Sequence, residues 1–185
     1  MKSPQRLLVA LSIACCLVTS VAAVRADDAN LSYDDPSIHY TAPDGWTRID
    51  LSAATGQSGS AGVVAAFTKT FGRYDQRAIT LKIEDYSGGL DEAEGSYESE
   101  MRGGAESVFV DRKTRVTMPN GMPAWFMKIS IGSEAGNIAR IFQYVIVDGK
   151  RRIVASYSGR AGYFDEKDAT SGLSGLAVVL YPQGR

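Results

Sequence analysis

The chain has one histidine, His39, and two cysteines, Cys15 and Cys16, and this supply limits the catalytic chemistry available to it. A Ser-His-acid hydrolase needs a histidine to take the proton of its nucleophile, and a zinc site needs three or four His, Cys or carboxylate ligands. His39 stands between Ile38 and Tyr40 in a strand-like stretch, so its side chain is expected to point away from theirs, at the surface. These residue types leave a carboxylate-dependent hydrolase as the one enzyme hypothesis.

The sequence motifs that position nucleophiles or phosphates are incomplete. Gly-x-Ser-Gly occurs at residues 56–59 and 172–175, one spacing short of the G-x-S-x-G elbow of α/β-hydrolases, and no serine precedes a lysine by three positions. The glycine-rich stretch 51–62 has neither the dinucleotide-binding nor the P-loop spacing. The sequence therefore predicts a protein that is not an enzyme and that holds no cofactor and no metal ion.

A basic cluster is the first candidate for a binding role. Lys150, Arg151 and Arg152 follow the Asp148-Gly149 turn, and Arg140 is expected to approach them across the hairpin. Such a cluster suits an acidic partner or an anionic headgroup, and it equally suits a charged hairpin tip that protects a sheet edge.

The two tryptophans, Trp46 and Trp125, are the second candidates. Aromatic side chains of this size either line a ligand cleft or fill a hydrophobic core. The cleft interpretation leads to an alternative function, a carrier of a small apolar ligand held between sheet and helix.

Residues 1–26 have the three-part layout of a secretory signal peptide. Lys2 and Arg6 precede the largely apolar run 7–24, and small residues lead to a cleavage site between Ala26 and Asp27. A cut three residues earlier fits nearly as well. We therefore expect a secreted or periplasmic protein.

Loss of this segment changes the composition of the 185-residue chain. The full sequence has 20 basic and 21 acidic residues, and removal of the three basic residues of the segment leaves 17 against 21, a formal charge of −4 without any cysteine. No basic excess remains to neutralise phosphates, so nucleic acid is not an expected partner. An uncleaved membrane anchor and a lipid anchor on Cys15 or Cys16 are the alternatives to cleavage.

The rest of the chain is predicted as one domain over 37–181, with an acidic lead-in over 27–36 and a C-terminal tail over 182–185. Apolar residues at three- and four-residue spacing predict one helix that starts at Leu90 and ends at Gly103-Gly104, and another over 164–181. The acids of the first helix are expected on its solvated face: Glu92, Glu94, Glu98 and Glu100.

Alternating apolar residues around turn-forming pairs predict three hairpins. Their strand pairs cover 63–70 with 78–83, 114–118 with 123–131, and 137–147 with 151–157. The strand over 137–147 is apolar on both alternating sets and is expected in the middle of the sheet. The fold class is therefore α+β: an antiparallel sheet of about six or more strands flanked by helices.

The Pro43-Asp44-Gly45-Trp46 turn after an opening strand, the paired strands before a mid-chain helix and two further hairpins before a C-terminal helix resemble the Mog1/PsbP-like family. This family includes bacterial envelope proteins of the DcrB type. The resemblance covers residues 37–181 and implies an α/β/α sandwich that works by binding and not by catalysis. Its members bind unrelated partners, so it implies no particular one.

Three function hypotheses follow. The leading one is a secreted or periplasmic, non-enzymatic accessory domain that binds a protein partner or an envelope component. The second is the carrier of a small apolar ligand, and the third is the carboxylate-dependent hydrolase.

Overall fold

The computed structural model describes residues 31–35, 38–54, 62–105, 107–133 and 136–178. The described part contains ten strands and two α-helices. In chain order they are β1 (Ser32–Asp35), β2 (Ile38–Thr41), β3 (Thr47–Arg48), β4 (Val63–Gly72), β5 (Asp75–Asp85), α1 (Leu90–Gly104), β6 (Ser107–Thr117), β7 (Pro123–Ser133), β8 (Gly136–Val147), β9 (Arg151–Arg160), α2 (Glu166–Ser174) and β10 (Leu176–Val178).

Seven strands form the main sheet in the order β3-β4-β5-β9-β8-β7-β6, and three form a small sheet in the order β1-β2-β10. All the pairings are antiparallel. The small sheet and α2 cover one face of the main sheet, and α1 covers part of the other. The expected sheet of six or more antiparallel strands with helices on its faces is confirmed.

Strand β8 shows how the sequence builds both cores. Phe142 and Ile146 belong to the core beneath α2 and the small sheet, whereas Ala139 and Val145 belong to the core beneath α1. Successive side chains of a strand point to opposite faces, so an apolar strand with both sets filled must lie between two covering layers. The central position expected for this strand is confirmed, because it pairs with β7 and β9.

The three predicted hairpins are present, with longer strands than expected. Gly121 and Gly149 adopt φ values of 85° and 97° in the turns that follow β6 and β8. A residue with a side chain rarely adopts these values, which is why the Asn-Gly and Asp-Gly pairs indicate the turns so clearly.

Helix α1 has the predicted start, and Ala93, Tyr97 and Met101 pack into the core beneath it. The expectation that all its acids are solvated is wrong for Glu94, which is 5% exposed. Lys113 Nζ, on β6, donates a hydrogen bond of 2.9 Å to the Glu94 carboxylate, because residue 113 lies on the sheet face that α1 covers.

The second helix is shorter than the predicted 164–181. It ends at Ser174, and β10 follows it and pairs with β2. A Cβ on Gly175 would overlap the carbonyl oxygen of Thr41 on β2, and a Cβ on Gly172 would come within 2.8 Å of the Tyr157 ring. The two glycines therefore allow α2 to pack closely and the chain to turn into a strand at residue 175.

The expected loose lead-in also differs from the structure. Ser32–Asp35 form β1, which pairs with β2 from Ser32 opposite Thr41 to Asp35 opposite Ile38. The pairing compensates for the weak strand signal of its polar residues. The predicted signal segment 1–26 and the tail 182–185 lie outside the described residues, and among the described helices none is long and apolar enough to cross a membrane.

Candidate interaction surface

The predicted basic cluster is divided by the structure. Arg152 is 5% exposed and lies on the sheet face that α1 covers. Its Nε donates to Glu84 over 2.9 Å, and its Nη2 donates to Glu100 over 2.7 Å. Burial alone would lower the pKa of Arg152, but the hydrogen bonds to these two carboxylates outweigh it and raise the pKa. Arg152 is therefore an internal cation.

Arg151 is also used within the fold. Its Nη2 lies 2.9 Å from Asp148, in the preceding turn, and its Nη1 lies 3.1 Å from Asp35, on β1. Lys150 is exposed at the turn. Arg140 is not beside these residues: it pairs with Gly159, about seven residues along β8 from the turn, or roughly 23 Å at the rise of a strand.

The two tryptophans lie on opposite faces of the main sheet. Trp46 is 7% exposed and meets the edge of the Tyr157 ring at 5.7 Å, within the core beneath α2. Trp125 packs on the α1 side, where its Nε1 donates to Asp91 over 3.0 Å. The two rings therefore do not line a common cleft.

His39 has partners that its sequence position did not suggest. One ring nitrogen contacts the carboxylate of Asp34, directly opposite on β1, and Nε2 lies 3.2 Å from the hydroxyl of Thr41. This hydroxyl–imidazole–carboxylate chain is the order of groups that activates a nucleophile. It lies on an exposed face, with the His39 and Asp34 side chains 48% and 69% exposed. Among the described residues, no group of three His, Cys, Asp or Glu side chains could hold a metal ion.

Four large hydrophobic side chains are exposed in the described part of the chain, and all four lie at one end of the main sheet. They are Phe71 (44%), Tyr74 (58%), Phe109 (56%) and Tyr163 (50%). We call this the aromatic end. Phe71 and Tyr74 flank the β4–β5 turn, Tyr163 follows β9, and Phe109 lies near the start of β6.

Strand register places these residues along the same end of the main sheet. One row of paired residues crosses the main sheet through Phe109, Ser130, Arg140, Gly159, Arg77 and Lys69. The row spans five strand spacings, or about 24 Å. It joins Phe109, at the β6 edge, to the hairpin that carries Phe71 and Tyr74.

Three arginines accompany the exposed rings. Arg73, Arg140 and Arg160 are exposed, and none of them forms an ion pair with a residue that the structure describes. The Arg73 guanidinium lies 5.4 Å from the centre of the Tyr74 ring. Binding surfaces are enriched in aromatic residues and arginine, and this end of the sheet exposes both.

Arg77 supports the hairpin from within. It is 7% exposed, its Nη2 donates to Asp75 over 2.7 Å, and it also bonds Asp168 of α2 and the Tyr157 hydroxyl. The hydrogen bond with Asp75 is the main reason that the pKa of Arg77 is raised. Its guanidinium lies 3.9 Å from the centre of the Phe71 ring, so a cation–π contact stabilises the position of Phe71.

Comparison with known proteins identifies the architecture. The solution structure of cyanobacterial PsbP (CyanoP) from Synechocystis sp. PCC 6803 superposes with a TM-score of 0.60 over 85% of this chain and 98% of that one, at 13% identity. The chain has a PsbP-like fold. A crystal structure from Bacteroides thetaiotaomicron VPI-5482 matches with a TM-score of 0.50 at 13% identity, over 84% of this chain and 50% of that one.

The PsbP-like fold confirms the architecture that the sequence resemblance implied, and the DcrB relationship stays a prediction. No protein-family model and no curated protein matches the chain. At 13% identity the likeness concerns the fold alone, so this chain's own surface has to indicate what it does.

Sequence reasoning missed the aromatic end of this PsbP-like fold. Phe71 and Tyr74 fall within the segment 71–76 that was predicted to join two strands. A large aromatic ring in a hairpin turn has no sheet face to cover, and that position was the available signal. Phe109 and Tyr163 gave no such signal, because their exposure depends on which face of the finished sheet is covered.

Proposed function

We propose that this protein is a secreted or periplasmic, non-enzymatic accessory domain that binds a protein partner or another envelope component through its aromatic end. The observation that carries the proposal is the gathering of Phe71, Tyr74, Phe109 and Tyr163 at one end of the sheet. Single exposed hydrophobic residues are ordinary on a protein surface, whereas a group of them together with unpaired arginines marks a contact surface.

Site-specific photo-crosslinking in the native envelope tests this proposal. A benzophenone side chain replaces Tyr74 at the aromatic end or, as the matched control, Lys150 at the opposite end of the sheet. Both positions are exposed turn residues. We expect adducts from position 74 and none from position 150. Adducts from position 150 alone, or no adducts from either position, would contradict the proposal.

The export step rests on the signal-like residues 1–26 and is tested separately. N-terminal sequencing of the protein from its host is expected to begin at Asp27. A start three residues earlier leaves the export proposal intact. An intact N-terminus, or a lipid on Cys15 or Cys16, would indicate a membrane-anchored protein and contradict the proposed cleavage after Ala26.

The contact between Thr41, His39 and Asp34 favours a hydrolase as a second candidate function. In that function the Thr41 hydroxyl would attack the carbonyl carbon of an ester or amide while His39, oriented by Asp34, takes its proton and passes it to the departing alcohol or amine. Water would then hydrolyse the acyl group from Thr41. Any hydrolase activity found in a screen of ester substrates should then disappear in His39→Ala and in Thr41→Val. Activity that survives either change would exclude this site.

The carrier of a small apolar ligand has less support. Trp46 is buried against Tyr157, and Trp125 lies on the other face of the sheet. A carrier site would have to open within one of the two cores. Release of a fatty acid or another apolar ligand from the denatured, freshly purified protein would support it.

A further inference from the structure

The two tips of the aromatic end stand in open surroundings. Gly72, in the β4–β5 hairpin, and Gly162, beside Tyr163, would each accept a Cβ with no other atom within 4 Å. At this hairpin Phe71 and Tyr74 are 44% and 58% exposed, and Phe71 rests on the Arg77 guanidinium on one side. An exposed hairpin end with two rings offers a small contact area, which suits shallow insertion into a soft surface better than a stable interface with a rigid partner.

The side chains at these tips are the types that occupy the interfacial zone of a bilayer. Aromatic rings settle at the level of the lipid headgroups, and arginine binds phosphate through its planar fork of donors. Phe71 and Tyr74 supply the rings, and Arg73 lies between them in the sequence. Arg140 and Arg160 lie on neighbouring strands at the same end of the sheet.

No described carboxylate forms an ion pair with these arginines, and the carboxylates at this end of the sheet have contacts of their own. Asp75 and Asp168 bond Arg77, Glu166 bonds Lys128, and Asp111 accepts from Ser130. Asp165 accepts hydrogen bonds from the first turn of α2. Three exposed arginines without an ion pair among the described residues thus lie at one end of a domain whose formal charge is −4 without its first 26 residues, so an anionic surface is expected to meet this end.

We propose that the aromatic end docks on the headgroup zone of an anionic phospholipid membrane, with Phe71 and Tyr74 inserted and Arg73, Arg140 and Arg160 at the lipid phosphates. This inference rests on the proposed function and names its envelope component. The insertion is shallow, because both rings belong to the end of one hairpin, so binding is reversible and depends on salt.

Vesicle flotation tests the inference. The probe is a vesicle of phosphatidylglycerol and phosphatidylcholine in equal parts, with pure phosphatidylcholine as the uncharged comparison. The protein is the chain from Asp27, which contains every residue that the structure describes and lacks the apolar run 7–24 that would itself enter lipid. We expect flotation with the anionic vesicles, loss of it at high salt, and little with the uncharged ones.

Two variants and one control assign the contact. Arg73→Gln/Arg140→Gln/Arg160→Gln should weaken vesicle binding about a hundredfold, since each cation near an anionic surface contributes about 1 kcal/mol. Phe71→Ser/Tyr74→Ser should weaken it about tenfold or more, because the inserted apolar surface is lost. Lys150→Gln removes an exposed cation at the opposite end and should leave binding unchanged. Urea unfolding confirms that each variant is folded.

The outcomes separate this inference from the proposed function. No flotation with anionic vesicles, or equal flotation of all the variants, overturns the membrane contact. If position 74 then still crosslinks to a protein in the native envelope, the accessory-domain proposal stands with a protein as its partner. If flotation and crosslinking both fail, both proposals are overturned.

Discussion

At the end of the main sheet where β8 turns into β9, Arg151 and Arg152 are held in ion pairs with Asp35, Asp148, Glu84 and Glu100. At the aromatic end, Arg73, Arg140 and Arg160 have no such partner among the described residues. The sequence shows a basic cluster only at the first of these ends. The comparison teaches that a run of cations indicates a binding surface only when the fold leaves their charges unpaired.

Burial explains the difference. An arginine under a helix must be paired, because an isolated buried charge costs several kcal/mol. Arg152 lies beneath α1 and takes its partners from β5 and α1. Exposed arginines can remain unpaired in water at little cost, so they are available to another molecule.

Arg77 is the buried, ion-paired arginine at the aromatic end, and Arg77→Ala should have the largest effect on stability. It leaves the Asp75 carboxylate, whose side chain is 14% exposed, without its cation, and we expect a loss of about 3 kcal/mol in the free energy of unfolding. Urea denaturation followed by circular dichroism measures it. Arg73→Ala, four residues away and exposed, should change stability by less than about 0.5 kcal/mol. Equal losses in the two variants would contradict the comparison.

Arg152→Ala should destabilise the fold by about 2 kcal/mol, less than Arg77→Ala. The loss is smaller because Lys82 also contacts Glu84 and remains in place to neutralise it. Arg140→Ala is the matched control, and it should behave like the wild-type chain in the same urea titration. A stability change in Arg140→Ala as large as that in Arg152→Ala would show that the two ends do not differ.

Acid should weaken the ion-paired end first through Glu84. Burial alone would raise the pKa of Glu84, but hydrogen bonds from Lys82 and Arg152 outweigh it and hold the pKa below its ordinary value. Its stabilising contribution is therefore complete above the unfolded pKa of about 4.3 and is lost as the pH falls through the lower pKa of the folded state. Glu84→Gln should give a shallower loss of stability below pH ~4.

The control for this acid effect is the double variant Glu84→Gln/Arg152→Ala. In Arg152→Ala the Glu84 carboxylate has lost one of its partners. Adding Glu84→Gln to that variant should therefore flatten the dependence of stability on acid pH less than Glu84→Gln does in the wild-type chain. Urea titrations at a series of pH values measure both slopes. Identical acid slopes in the wild-type chain and in Glu84→Gln would exclude Glu84 as a contributor.

Phe71→Ser/Tyr74→Ser should have the smallest effect on stability, within about 0.5 kcal/mol, because both rings are 44% or more exposed. The same double variant should lose crosslinking and vesicle binding. A large loss of stability would instead make these rings part of the hydrophobic core. The two ends differ most clearly if Arg152→Ala lowers stability and leaves vesicle binding unchanged, while Phe71→Ser/Tyr74→Ser lowers vesicle binding and leaves stability unchanged.

Much of the fold could be predicted because its signals are local. The turns at Gly121 and Gly149, the periodicity of α1 and the two apolar faces of β8 depend on residues within one element. The strand β10 could not be predicted in this way. Leu176 continues the helical spacing of Ala169 and Leu173, and only the approach of Gly175 to β2 shows why the helix stops before it.

The candidate site was less predictable because exposure is a property of the assembled sheet. Arg152 follows the turn just as Lys150 does, yet α1 covers one and leaves the other in water. Arg140 was expected beside them, and the register of β8 places it at the opposite end. The sequence shows which residues are cations or aromatic rings. Which of them are buried and which are exposed depends on how the helices and the small sheet cover the main sheet.

The small sheet has a consequence for the order in which the chain can fold. Strand β2 is paired on one side with β1, which immediately precedes it, and on the other with β10, near the end of the described chain. Tyr40, fully buried beside Leu176, therefore waits for the last strand before its surroundings are complete. Such long-range closure slows folding. A chain synthesised from its N-terminus cannot finish this layer until residues 176–178 have been made.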